Sequence, residues 1–178
     1  MKNLMLAFAI FNLLLAGCNN NKSLEKYFVN NTNNPNFIQV DVAPSILNLN
    51  TTQLTEEQKT ALQSFNKMNV LAFKINDKNK AQFGQERTKV NEILKNEKYH
   101  QLMKFGSGKE VASISFVGED EHISEFIIFG NKADKGFAIV RILGQDMNPS
   151  SIMTIVSAMQ NSKMDIEQLI PIIEIMKQ

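Results

Sequence analysis

Three stretches decide the fold: EVASISFV (110–117), ISEFIIFG (123–130) and FAIVRILG (137–144). In the first, Ala112, Ile114 and Phe116 alternate with Ser113 and Ser115. A period of two is the signature of a strand with two unlike faces. The polar runs GEDEH (118–122) and NKADKG (131–136) between them are short enough for hairpin connections. Together they predict an antiparallel meander. YHQLMKF (99–105) is placed to add a further strand before it.

Working outward, the spacing predicts helices on both sides of the meander. SLEKYFVNN (23–31) puts Leu24, Tyr27 and Phe28 on one side, and the Asn cluster with Pro35 ends it. FIQVDV (37–42) alternates like a strand, and Pro44 can open a short helix carrying Ile46, Leu47 and Leu49. Thr55 and Gln58 form a capping box. Ala61, Leu62, Phe65 and Met68 then follow at helical spacing, and VLAFKI (70–75) reads as a buried strand. A charged helix from about Asn79 to Asn96 turns Phe83, Val90, Ile93 and Leu94 inward. Asn148 and Pro149 open a helix with the stripe Ile152, Ile155, Val156 and Met159. Ile166, Leu169, Ile170, Ile173 and Met176 form a last stripe, disturbed by Pro171.

The expectation is an α+β fold in one domain, residues 23–178. It has a single, mainly antiparallel sheet of about five strands, with helices packed mostly on one face and the other face wetter.

The N-terminus supplies an address. MKNLMLAFAIFNLLLAGC (1–18) has a basic Lys2, an apolar run from Leu4 to Leu15 interrupted by Asn12, and small residues Ala16 and Gly17 before Cys18. The run is shorter than the roughly 20 residues a spanning helix needs, and fits a signal peptide. LLAGC resembles the lipobox of bacterial lipoproteins. That resemblance implies cleavage between Gly17 and Cys18 and acylation of Cys18. Two or more acyl chains anchor a protein firmly where one holds it marginally.

Removing 17 of the 178 residues leaves 161, without Lys2 and with 18 basic residues against 18 acidic ones. A formally neutral domain argues against nucleic acid as a partner. Cys18 is the only cysteine, so no disulfide supports the fold. Residues 18–22 are a lipidated cysteine and short tether, on the order of 15 Å at about 3.5 Å per residue. Asn19, Asn20 and Asn21 follow the cysteine, with no aspartate to retain the protein in the inner membrane. The expectation is therefore an outer-membrane lipoprotein facing the periplasm of a Gram-negative bacterium, touching the membrane through Cys18.

The domain is similar to the bacterial envelope lipoproteins of the family called domain of unknown function 4252. The resemblance rests on LLAGC, SLEKYFVNN, FIQVDVAPSILNL, TEEQKTALQSF with NVLAFK, ISEFIIFG and FAIVRILGQDMNP. It implies an envelope location and supplies no catalytic residue.

Chemistry is sparse. Acylation would remove the only thiol, and a serine nucleophile needs an oriented base. The histidines are His100 and His122, and Ser107 sits in a turn-like GSG. Glu119, Asp120, Glu121 and His122 form a weak candidate metal cluster, with Glu125 nearby. A solvated hairpin tip accounts for them better, and no cofactor is expected. Asp146 and Asn148 flank a helix N-terminus, where anions can bind; capping and dipole compensation explain them as well. Arg141 can clamp a ligand or pair with Glu125 on the wetter face. With no Trp and two Tyr, aromatic glycan platforms are poorly supported, and nine Met point to adaptable packing. Ile172 and Ile175 fall off the last inner stripe. They are a docking patch if exposed and core if covered.

These features favour a non-enzymatic interaction or scaffolding module with an envelope protein partner. The alternatives are a carrier or sensor of an apolar small molecule or lipid, and an enzyme built around Arg141, Glu125 and Asp146.

Overall fold

The computed structural model describes residues 22–43, 55–119 and 122–154. Along the chain lie α1 (Leu24–Asn31), β1 (Phe37–Val42), α2 (Glu56–Ser64), β2 (Phe65–Lys74), α3 (Lys80–Leu94), β3 (His100–Ser107), β4 (Glu110–Glu119), β5 (His122–Lys132) and β6 (Gly136–Met147). A further helix, α4, opens over 149–154. The strands form one sheet of six, ordered β1-β2-β6-β5-β4-β3, and every neighbouring pair is antiparallel. The α+β class holds, with six strands rather than about five.

In the meander β3–β4–β5–β6 each of the three opening stretches forms one strand. β2 then pairs with β6, so the longest strands occupy the middle of the sheet. Their central residues are buried on both faces, unlike the expected one-sided sheet. Val70, Ala72, Phe126, Ala138, Val140 and Ile142 belong to one core. Leu71, Phe73, Ile127, Phe129, Phe137 and Ile139 belong to the other. The helices divide accordingly. Leu24, Tyr27 and Phe28 of α1 pack with Phe83, Val90 and Ile93 of α3 on the second face. Leu62 of α2 and Ile152 of α4 pack against the first. Continuous apolar runs such as VLAF and FAIV need cover on both sides, which is why the helices do not gather mostly on one.

α2 is shorter than the helical spacing predicted. Its capping box forms, with Thr55 accepting from the Gln58 backbone and Gln58 accepting from the Thr55 backbone. The helix nevertheless stops at Ser64, and Phe65 and Met68 are strand residues. Their burial fits either period over so short a run, and pairing with β6 decides for the strand.

Two tertiary hydrogen bonds seat the N-terminus of the domain. The Leu24 N–H, a helix-start donor without an intrahelical partner, donates to the Tyr99 hydroxyl at 3.0 Å. The Tyr27 hydroxyl donates to Glu86 Oε2 on α3 at 2.8 Å. Burial, and then the neighbouring Glu86, push the Tyr27 pKa far above its ordinary value.

Candidate functional site

β3 is the feature that stands apart from the packed sheet. All eight of its residues are exposed, and among the described residues it is bonded to β4 on one side only. Leu102, Met103 and Phe105 expose 37%, 42% and 51% of their surface. Met103 lies opposite Ile114, and Phe105 opposite Ala112. Ile114, Phe116 and Ile128 continue inward as half-buried residues packed on the first core. An apolar strip thus runs from the sheet centre out to an unpaired edge.

The run Leu102–Met103 with Phe105 was the available signal in the sequence. One strand face cannot hold all three under strict alternation. The structure accommodates them with a bulge between Gln101 and Met103. Lys104 stands between them, and His100 packs on the Phe116 ring at 5.2 Å. A bulge and a lysine are common protections of an edge against indiscriminate pairing.

The residues singled out by the sequence disperse. Arg141 pairs with Glu125 as the spacing suggested. Its Nε donates to Oε1 at 2.5 Å and its Nη2 to Oε2 at 3.1 Å. The pair is not on a wet face, however. Arg141 is buried, and its guanidinium lies 5.3 Å from the centre of the Phe28 ring of α1. Both prongs are satisfied within the protein, so the arrangement is that of a structural pair.

Asp146 accompanies neither of these residues. It pairs with His122 Nδ1 at 2.8 Å, with both side chains mostly in solvent. Its backbone φ is +50°, next to a register shift where Ile123 faces Met147 and Glu125 faces Leu143. The bulge also places Ile123 and Phe126 in the same core despite their odd spacing. Strict alternation, which would set His122 and Glu125 on opposite faces of a strand, therefore does not hold here. Asn148 is a cap: its Oδ1 accepts from the Ser151 backbone at 3.0 Å, and Ser151 Oγ accepts from the Asn148 backbone at 3.3 Å.

Gly17, Cys18, Asp120, Glu121, Ile172 and Ile175 lie outside the described residues, as do Pro44 to Leu49, Ile155, Val156 and Met159. Glu119 ends β4 and is exposed. Among the described residues no group of three or more His, Cys, Asp or Glu side chains is placed to hold a metal ion. No helix among them is long and apolar enough to cross a membrane.

Against this fold and edge the family assignment can be set. The sequence profile of the domain of unknown function DUF4252 matches residues 27–155, which spans α1 to the start of α4. The chain belongs to that family. No curated protein and no solved structure matches it.

Proposed function

We propose that this chain is a lipid-anchored, periplasm-facing interaction module, not an enzyme, held at the outer membrane by an acylated Cys18 and engaging another envelope protein through β3. The observation that carries the reading is the exposed edge itself. Among the described residues nothing pairs with the outer edge of β3, which offers its backbone groups together with Leu102, Met103 and Phe105, the combination used when an extended segment joins a sheet. Main-chain hydrogen bonds would supply affinity, and the apolar strip toward Ile114 would select side chains.

Charge points to the nature of the partner. β3 contains Lys104 and His100 and no acidic residue. A second copy pairing through the same edge would set cation against cation, whereas an extended segment with acidic and apolar residues complements it. The short tether supports an envelope partner close to the bilayer. Leu24 is fully buried, so the compact domain begins six residues after Cys18.

The test is a photo-crosslinking residue placed at Leu102 in the full-length protein in its own cells, with a control at exposed Val29 on α1. A protein adduct specific to Leu102, lost in the Met103→Lys/Phe105→Lys variant, is the expected result. Adducts identical from both positions, or insensitive to that variant, would overturn the strand-addition reading.

A further inference from the structure

On the other side of the sheet from the apolar strip, α3 does not close down on β3, β4 and β5. A groove of about 510 Å³ remains, within the usual range for small-molecule sites. Its construction follows from the alternation of β4. The strand face that carries Ser113 and Ser115 has too little apolar surface to draw α3 into close packing. Register sets Gln101 opposite Ser115 and Lys104 opposite Ser113, so the floor stays polar out to the edge.

The charge in this groove is one-sided. Arg87, Asn91 and Lys95 recur at four-residue spacing along α3 and line one wall, and Lys104 lines the other. Among the described residues no aspartate or glutamate lines it. The acidic residues of α3 are engaged elsewhere, Glu86 with Lys89 and Glu92 with Lys22. Lys95, at the helix C-terminus, offsets the partial negative charge there. Among the described residues, Arg87 and Lys104 face one cavity without a carboxylate partner. Arg87 is steadied over the Phe83 ring at 5.4 Å, which leaves its N–H groups for other acceptors. In the floor, Ser115 and Asn131 are each more than nine-tenths buried, and Asn131 Oδ1 has no hydrogen-bond partner. Buried polar atoms are ordinarily satisfied, so an orphan acceptor beside a cationic cavity points to a missing donor.

A contrasting cavity shows that this is not a general property of the surface. The space of about 600 Å³ between α1 and α3 is lined by Lys22, Lys26 and Lys89 but also by Glu86, which bonds Tyr27 and Lys89. Two of its three lysines are engaged in ion pairs, Lys89 with Glu86 and Lys22 with Glu92.

We infer that the groove between α3 and β3–β5 binds a phosphate monoester or diester carrying hydroxyl groups, with Arg87 and Lys104 holding the phosphate and Asn131 Oδ1 in the floor accepting from a hydroxyl. Two positive charges match one phosphate group. This differs from the apolar carrier considered from the sequence, because the walls that would hold the ligand are polar. The inference does not rest on strand addition at β3, which uses the edge backbone and the apolar strip of the opposite face, although Lys104 belongs to both surfaces. The same chemistry occurs in free glycerol phosphate and in the headgroup of phosphatidylglycerol, and a membrane-tethered domain could meet either.

The experiment titrates the full mature chain at low salt with sn-glycerol-3-phosphate, with glycerol as the neutral control, following backbone amide signals by NMR. In parallel, binding to phosphatidylglycerol vesicles is compared with binding to phosphatidylcholine vesicles. The expected result is saturable binding that shifts Ser113, Ser115 and Asn131, is absent with glycerol, and weakens at least tenfold in Arg87→Gln/Lys104→Gln. Lys104 is exposed and Arg87 meets the second core only by lying over Phe83, so the folded amide spectrum of that variant serves as its control. Binding of the soluble phosphate assigns a free ligand. Selective binding to phosphatidylglycerol vesicles alone, lost in the variant, assigns a headgroup. Absence of both, or binding unchanged in the variant, would overturn the site.

Discussion

The Arg141 guanidinium and the Glu125 carboxylate meet in a two-pronged ion pair across β5 and β6, roofed by the Phe28 ring. Their side chains are 10% and 13% exposed, so neither has water as a ready substitute for the other. Removing one partner of such a pair costs about 3–5 kcal/mol, because a buried charge is left uncompensated, while replacing both with apolar residues costs far less. Glu125→Leu and Arg141→Met should each lower stability on that scale. The double variant should recover most of the loss. Urea unfolding of the four proteins closes the cycle, and additive single effects would show that the pair is not energetically coupled.

Tyr27 should make the domain sensitive to alkali. Its pKa is raised in the folded state, first by burial and then by Glu86. A raised pKa means that the folded protein keeps a proton which the unfolded chain releases above about pH 10. The stabilisation is complete below that pH and is lost as pH rises, by up to about 1.4 kcal/mol per pH unit. Lys132, whose pKa is raised by its hydrogen bond to Glu110, acts in the same direction. Tyr27→Phe should cost roughly 1 kcal/mol at neutral pH through the lost hydrogen bond. It should also give a shallower decline between pH 10 and 12. Parallel declines for the two proteins would show that Tyr27 is not the source.

Gly136 is predicted to tolerate no side chain. It opens β6 opposite Lys74 with φ +135°, and a Cβ there would stand 1.8 Å from the Phe73 carbonyl oxygen. The clash is with backbone of a central strand, which cannot swing aside. Gly136→Ala should destabilise by about 3 kcal/mol or more, combining steric overlap with an unfavourable φ. Gly84→Ala, at a helical position open to solvent, should instead be neutral or slightly stabilising. Thermal unfolding of both variants measures the contrast.

Cys18→Ala tests the proposed anchor separately from the fold. The described domain makes its N-terminal contacts from Lys22 onward, so the substitution should leave unfolding unchanged. It should move the protein from the membrane fraction to the soluble periplasmic fraction and abolish incorporation of labelled palmitate. Continued membrane retention without label would mean that something other than an acyl chain holds it.

Much of the architecture was legible because alternation and capping are local. Thr55 and Asn148 cap helices where their side chains suggested, and β4, β5 and β6 form the meander that the short polar turns between them predicted. The Arg141–Glu125 pair was also within reach, since hairpin register brings those positions together. The faces were harder to read. The bulges at Gln101/Met103, Val117/Gly118 and Ile123/Glu125 reset the alternation, and a period cannot be counted across them.

The sequence by itself determined the antiparallel meander, the helix starts and the family, because each rests on short-range pattern. The tertiary structure alone decided that helices cover both faces, that Phe65 and Met68 join a strand, and that Arg141 is buried. It also set the two candidate surfaces. Leu102, Met103 and Phe105 become an exposed edge only because β2, rather than β3, pairs with β6. Arg87 and Lys104, far apart in the chain, share a groove only because α3 lies across the serine face of β4. Such long-range placement depends on which pairing buries the most apolar surface over the whole domain, and no local period encodes that sum.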